Sequence, residues 1–138
     1  MKDILKRSAT AHHGPNGHVE SETSNIHLEL STPYEMTKEQ TSETNSFELV
    51  AMAYSACMSG AMNKALELAE AKYDDFSVTV TNHLQKDDDG GVRFEFELIV
   101  ALKGVDASKK EAIVRRAYGL CPFSKAIKGN VQTHITIK

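Results

Sequence analysis

No apolar run in this 138-residue chain approaches the roughly 20 residues that a helix needs to cross a bilayer, so no membrane partner is expected. There is no excess of positive charge either. A formal net charge of −3 gives no electrostatic reason to expect nucleic acid or an anionic surface. The opening Met-Lys-Asp-Ile-Leu-Lys-Arg carries charge without a continuous apolar stretch, which argues against a secretory signal and for a cytoplasmic protein. Internal repeats and low-complexity linkers are missing. Cysteine is scarce, and two thiols in a cytoplasmic chain point more to transient redox chemistry than to a structural staple. What remains is ordinary globular composition, 41% hydrophobic and 25% charged, in a length that fits one domain over residues 1–138.

Short elements alternate along this length. Residues 8–20 carry a Gly-Pro-Asn-Gly turn between extended stretches and predict a hairpin. Ile26–Leu30 alternates apolar and polar residues, which predicts a third strand stopped at Pro33, and residues 34–45 read as a polar loop. Asn45 can cap a helix, with Glu48 three residues on as its capping-box partner. From Leu49 to Met62 nearly every side chain is apolar or small, and a helix apolar on all sides belongs in an interior. Phe76–Leu84 and Val92–Val100 alternate around Asp87-Asp-Asp-Gly-Gly91 and predict a second hairpin. A helix from Ser108, with Glu111 as box partner, presents Ala112, Ile113, Ala117 and Leu120 at helical spacing; Val131–Ile137 closes as a strand. The order βββ-α-ββ-α-β describes an α+β fold with antiparallel sheets around two main helices.

The two cysteines, 64 positions apart, carry the functional signal. Cys57 ends Asn45-Ser-Phe-Glu-Leu-Val-Ala-Met-Ala-Tyr-Ser-Ala-Cys57, about three turns into its helix and beyond much help from the dipole. Its helical neighbours Ala53, Tyr54, Gly60 and Ala61 offer no cation, so its local context is that of a core thiol. Cys121 precedes Pro122. That proline either ends a helix, whose dipole then opposes a thiolate, or begins a new turn whose free N–H groups favour one. The residues alone leave both geometries open.

Both segments resemble known motifs. The first is similar to Asn-Pro-Glu-Gln-Leu-Phe-Ala-Ala-Gly-Tyr-Ser-Ala-Cys and the second, Cys121-Pro-Phe-Ser-Lys-Ala-Ile-Lys-Gly-Asn130, to Cys-Pro-Tyr-Ser-Asn-Ala-Thr-Arg-Gly-Asn. These belong to the OsmC-like family and especially to its organic hydroperoxide resistance branch; Leu30-Ser-Thr-Pro33 and the element order agree. The resemblance implies an intertwined homodimer with sites at the subunit interface. It also implies a thiol peroxidase that uses no cofactor and reduces organic hydroperoxides. Cys57 would be oxidised to a sulfenic acid and Cys121 would resolve it as a disulfide, which a dithiol of lipoyl type would reduce.

The chain departs from that branch at two places. The branch carries an arginine within Gly-Gly-Arg-Asp-Gly, where this chain has His13-Gly14-Pro15-Asn16-Gly17, and a glutamate ten residues before the first cysteine, where this chain has Phe47. Without that ion pair the expectation is a peroxidase scaffold of weak or altered activity, with Cys57 at or above its ordinary pKa. His12, His13, His18, Arg115 and Arg116 are the candidate replacement cations. Phe47, Tyr54, Met58 and Phe123 are candidates to line an alkyl-peroxide pocket, although core packing explains each equally well. The alternative functions are a non-catalytic homodimer that binds an apolar small molecule at the interface, and a redox sensor. The histidines at 12, 13, 18, 27, 83 and 134 form no helical metal-binding pair, so no metal site is expected. Asp87–Asp89 fits a solvated turn better than a calcium loop.

Overall fold

The computed structural model describes residues 1–32 and 42–138. Pro33 and most of the loop expected over 34–45 lie outside the described residues. The chain divides into two compact units, Met1–Leu49 and Val50–Lys138.

The first unit holds a three-stranded antiparallel sheet: β1 (Ala9–His12), β2 (His18–Ser21) and β3 (His27–Glu29), in that order. The expected first hairpin is present, and one turn of 3₁₀ helix, Gly14–Asn16, carries the chain around its tip. Gly17 is required there by close approach, since a Cβ at this position would stand 1.8 Å from the His12 carbonyl oxygen. The third strand is shorter than Ile26–Leu30; Leu30 instead bridges Thr44 in parallel.

Helix α1 (Ser46–Leu68) starts where Asn45 predicts. The Asn45 Oδ1 accepts the Glu48 N–H at 2.9 Å, and the Glu48 carboxylate accepts the Thr44 hydroxyl at 2.5 Å. Both contacts fasten the first turn, where the backbone N–H groups have no partner within the helix.

In the second unit, β4 (Asp75–Lys86) and β5 (Val92–Lys103) pair antiparallel through the Asp87–Gly91 turn. Helix α2 (Ala107–Leu120) and a short α3 (Pro122–Ile127) then lead to β6 (Gln132–Ile137), which lies parallel to β5. Sheet order is β4-β5-β6. Phe96, Leu98, Val100 and Leu102 alternate onto one buried face of β5, as period two requires. Against this core pack Tyr54, Met58, Ala61, Met62, Ala65 and Leu66 of α1, one stripe at helical spacing, with Ile113, Val114 and Ala117 of α2.

Three expectations change. The first half of α1 is not enclosed on all sides in the single chain, because Met52, Ala53, Ala56 and Gly60 are exposed. Helix α2 starts at Ala107 and turns Val114 inward rather than Ala112 or Leu120, which are exposed; Glu111 pairs with Arg115 at 2.7 Å instead of capping. Pro122 opens a helix of its own, so α3 is added to the expected order. No helix among the described residues is long and apolar enough to cross a membrane.

Candidate active site

The α2–α3 junction decides between the two geometries open for Cys121. Its backbone is extended (φ −66°, ψ 120°), so it is at once the last cap of α2, with its N–H bonded to the Ala117 carbonyl, and the residue before α3. Proline at the first helical position suits this arrangement, because its missing N–H would have had no helical partner. The side chain of Cys121 is fully buried.

Helix α1 brings Cys57 to the same place. Residue 57 stands three positions after the buried Tyr54 and one before the buried Met58, at the margin of the inward stripe, and is half-buried. The two sulfurs are 3.3 Å apart, with the Cys121 thiol placed to donate to the Cys57 sulfur, and both cysteines are free thiols. The backbone N–H of Phe123, in the first turn of α3, also donates to the Cys57 sulfur. The α3 N–H groups that could have served Cys121 therefore include one that serves Cys57.

Burial pushes the Cys57 thiol above its ordinary pKa. The Phe123 N–H opposes this by stabilising the thiolate, and the adjacent Cys121 raises it further. Among the described residues of this unit no lysine or arginine bears on that sulfur. Arg115 is held by Glu111 on the exposed side of α2, and Arg116 is exposed as well.

Aromatic packing fixes the surroundings. Tyr54 stacks on Phe123 at 5.3 Å and meets the edge of Phe96 at 5.2 Å. Its hydroxyl shares a 3.0 Å hydrogen bond with Ser124, also buried. Desolvation pushes the Tyr54 phenol up to about 12, so it stays protonated and acts as a hydrogen-bonding anchor. Of the candidate pocket residues, Tyr54 and Met58 are fully buried core, Phe123 is half-buried beside Cys57, and Phe47 belongs to the first unit, half-buried in the first turn of α1. Pro15, at the position of the branch's arginine, lines a concavity of about 250 Å³ with Ala11, Leu30 and Asn45, all within the first unit. Ser124 is the residue that sequence reasoning passed over, although it lies inside the Cys121-Pro-Phe-Ser motif.

The fold and this pair define a class: an α+β protein with two reduced thiols in contact where a central helix meets a helix junction. The particular family follows from comparison. The model of the OsmC-like protein family matches residues 37–136, and the chain belongs to that family. It is 31% identical over 138 residues to the organic hydroperoxide resistance protein-like 2 of Staphylococcus saprophyticus, covering 99% of this chain and 97% of the relative. It is 30% identical over 135 residues to the organic hydroperoxide resistance protein OhrB of Bacillus subtilis, covering 98% of each. The crystal structure of an organic hydroperoxide resistance protein from Elizabethkingia anophelis superposes with a TM-score of 0.90 at 30% identity, over 100% of this chain and 99% of that one.

Proposed function

We propose that the protein is a cysteine-based peroxidase that reduces organic hydroperoxides and contributes to peroxide detoxification. The observation that supports this most is the contact of two free thiols at 3.3 Å, in a chain whose relatives carry the name organic hydroperoxide resistance protein.

Cys57 is the peroxidatic residue. Its thiolate attacks one peroxide oxygen, the O–O bond breaks, and the sulfur is oxidised to a sulfenic acid while the alkoxide takes a proton and leaves as the alcohol. The Cys121 thiol then attacks the sulfenic sulfur, forming the disulfide as water departs. An external dithiol of lipoyl type returns two electrons and two protons by exchange and leaves as its own disulfide. The alkyl group of the substrate is received by apolar side chains beside Cys57, of which Phe123 is the partly exposed one, while Tyr54 and Met58 back it from the core. This chemistry runs in the cytoplasm and in an intertwined homodimer. The exposed apolar residues Met52, Ala53 and Ala56 of α1 support the homodimer.

Three observations favour a second reading. The raised Cys57 pKa and the proline and phenylalanine at positions 15 and 47 suit a dimer that binds an apolar small molecule without turning it over. Steady-state consumption of an alkyl or fatty-acid hydroperoxide with a lipoyl dithiol separates the two. The peroxidase turns over and Cys57→Ser abolishes it, whereas a binding protein gives no turnover and Cys57→Ser changes nothing.

A further inference from the structure

The three-stranded sheet of the first unit is sharply two-sided. Residues two apart on a strand share a face. His12 stands opposite His18 and His18 opposite Glu29, while Thr10 stands opposite Glu20 and Glu20 opposite His27. One face therefore collects three imidazoles and two carboxylates, and Ala11, Val19 and Leu28 take the other. The thiol chemistry proposed above assigns no step to this face.

Its side chains converge rather than splay into solvent. The His12 and His18 rings stack at 4.9 Å, and His18 stacks on His27 at 4.6 Å. Glu20 lies between them, with one oxygen 3.4 Å from His12 Nε2 and the other 3.7 Å from His27 Nδ1. Glu29 accepts from His27 Nε2 at 2.8 Å. Ligand atoms of His12, His18 and Glu20 all lie within 4.8 Å of one another. Tetrahedral zinc holds nitrogen and oxygen ligands at about 2.0–2.2 Å, which puts the donors roughly 3.3 Å apart. Small rotations of partly exposed side chains close that gap. A solvated set of His–Glu pairs explains the charge contacts; it does not require three donors from two strands to point at one spot.

We propose that this face binds a borderline divalent transition ion, zinc foremost, through His12, His18 and Glu20. The fourth position is left to water, and the His27–Glu29 pair lies beside the ligands as outer support. Two imidazoles and one carboxylate suit zinc, nickel or copper, and exclude magnesium and calcium, which take oxygen ligands. The spacing of six between His12 and His18 resembles no helical motif because the hairpin, not a helix, makes the pair. By linkage, the ion stabilises the β1–β2 hairpin it bridges.

Titration of the full-length protein with zinc against a chromophoric chelator tests this. Because thiolates are themselves zinc ligands, the series includes Cys57→Ser, with His134→Asn as a control on the other sheet and circular dichroism to check folding. The expected result is one saturable ion per chain, no competition from magnesium, and an affinity kept in Cys57→Ser and in His134→Asn. His12→Asn and His18→Asn should each lower the affinity by at least tenfold, since loss of an outer-shell group alone costs about 10–100-fold. The proposal is overturned if no saturable binding is found, if both histidine variants bind like the parent, or if Cys57→Ser alone removes the ion.

Discussion

Reactivity at Cys57 turns on how much of it is thiolate, and three groups set that fraction. Burial and the neighbouring Cys121 favour the neutral thiol, while the Phe123 N–H favours the anion. The balance lies above the ordinary value, so at neutral pH the thiolate is the minor form and its share grows as pH rises. We therefore expect Cys57, measured in a Cys121→Ser background by iodoacetamide alkylation, to react more slowly at pH 7 than a free cysteine. The rate should still be climbing where an unperturbed thiol has levelled off. A plateau below the usual thiol range would mean that a cation serves the sulfur. In sequence, the apolar neighbours of Cys57 already pointed this way; the Phe123 N–H did not appear, because it depends on where α3 begins.

At the scale of elements, the thiol contact depends on holding α1 against the α2–α3 junction. The Tyr54–Ser124 hydrogen bond joins these elements inside the core, three residues from each cysteine. Tyr54→Phe keeps the ring stacking but leaves the Ser124 hydroxyl buried without its partner, which costs about 1–3 kcal/mol. Urea unfolding of the reduced protein measures that loss, and faster access of a thiol reagent to the buried Cys121 should accompany it. Alternation made β4 and β5 legible in sequence, and an asparagine before an apolar run marked the start of α1. Other features were hidden for stated reasons. Alternation in Val131–Ile137 reveals a strand but not its direction, so the parallel pairing of β6 with β5 was invisible. Pro122 is compatible with both an end and a beginning of a helix, and only packing selected α3. In α2, Ala112 and Val114 compete for the inward face, and the larger apolar side chain took it.

For the whole molecule, the exposed half of α1 is the feature the single chain leaves unexplained. Met52 is 57% exposed on a helix whose stretch from Leu49 to Met62 carries no charged residue, whereas Asn63, Lys64 and Glu67 cover the same side further on. A second copy of the chain is the proposed cover. Met52→Lys then places a charge in that interface and should shift sedimentation toward monomer at micromolar concentration, with circular dichroism unchanged. If parent and variant sediment alike, α1 does not form the interface. The scaffold and its thiol pair were readable because motif, spacing and element order agree across nearly the entire chain. The histidine face was not, since its residues meet only through strand register.

The central claim is that the paired thiols reduce organic hydroperoxides, and steady-state turnover of an alkyl hydroperoxide with a lipoyl dithiol tests it most directly. The account predicts turnover that rises with pH, is abolished in Cys57→Ser, and in Cys121→Ser stalls at a sulfenic acid that a dimedone-type reagent traps. Absence of turnover from neutral to alkaline pH, with both thiols recovered unoxidised, would contradict it.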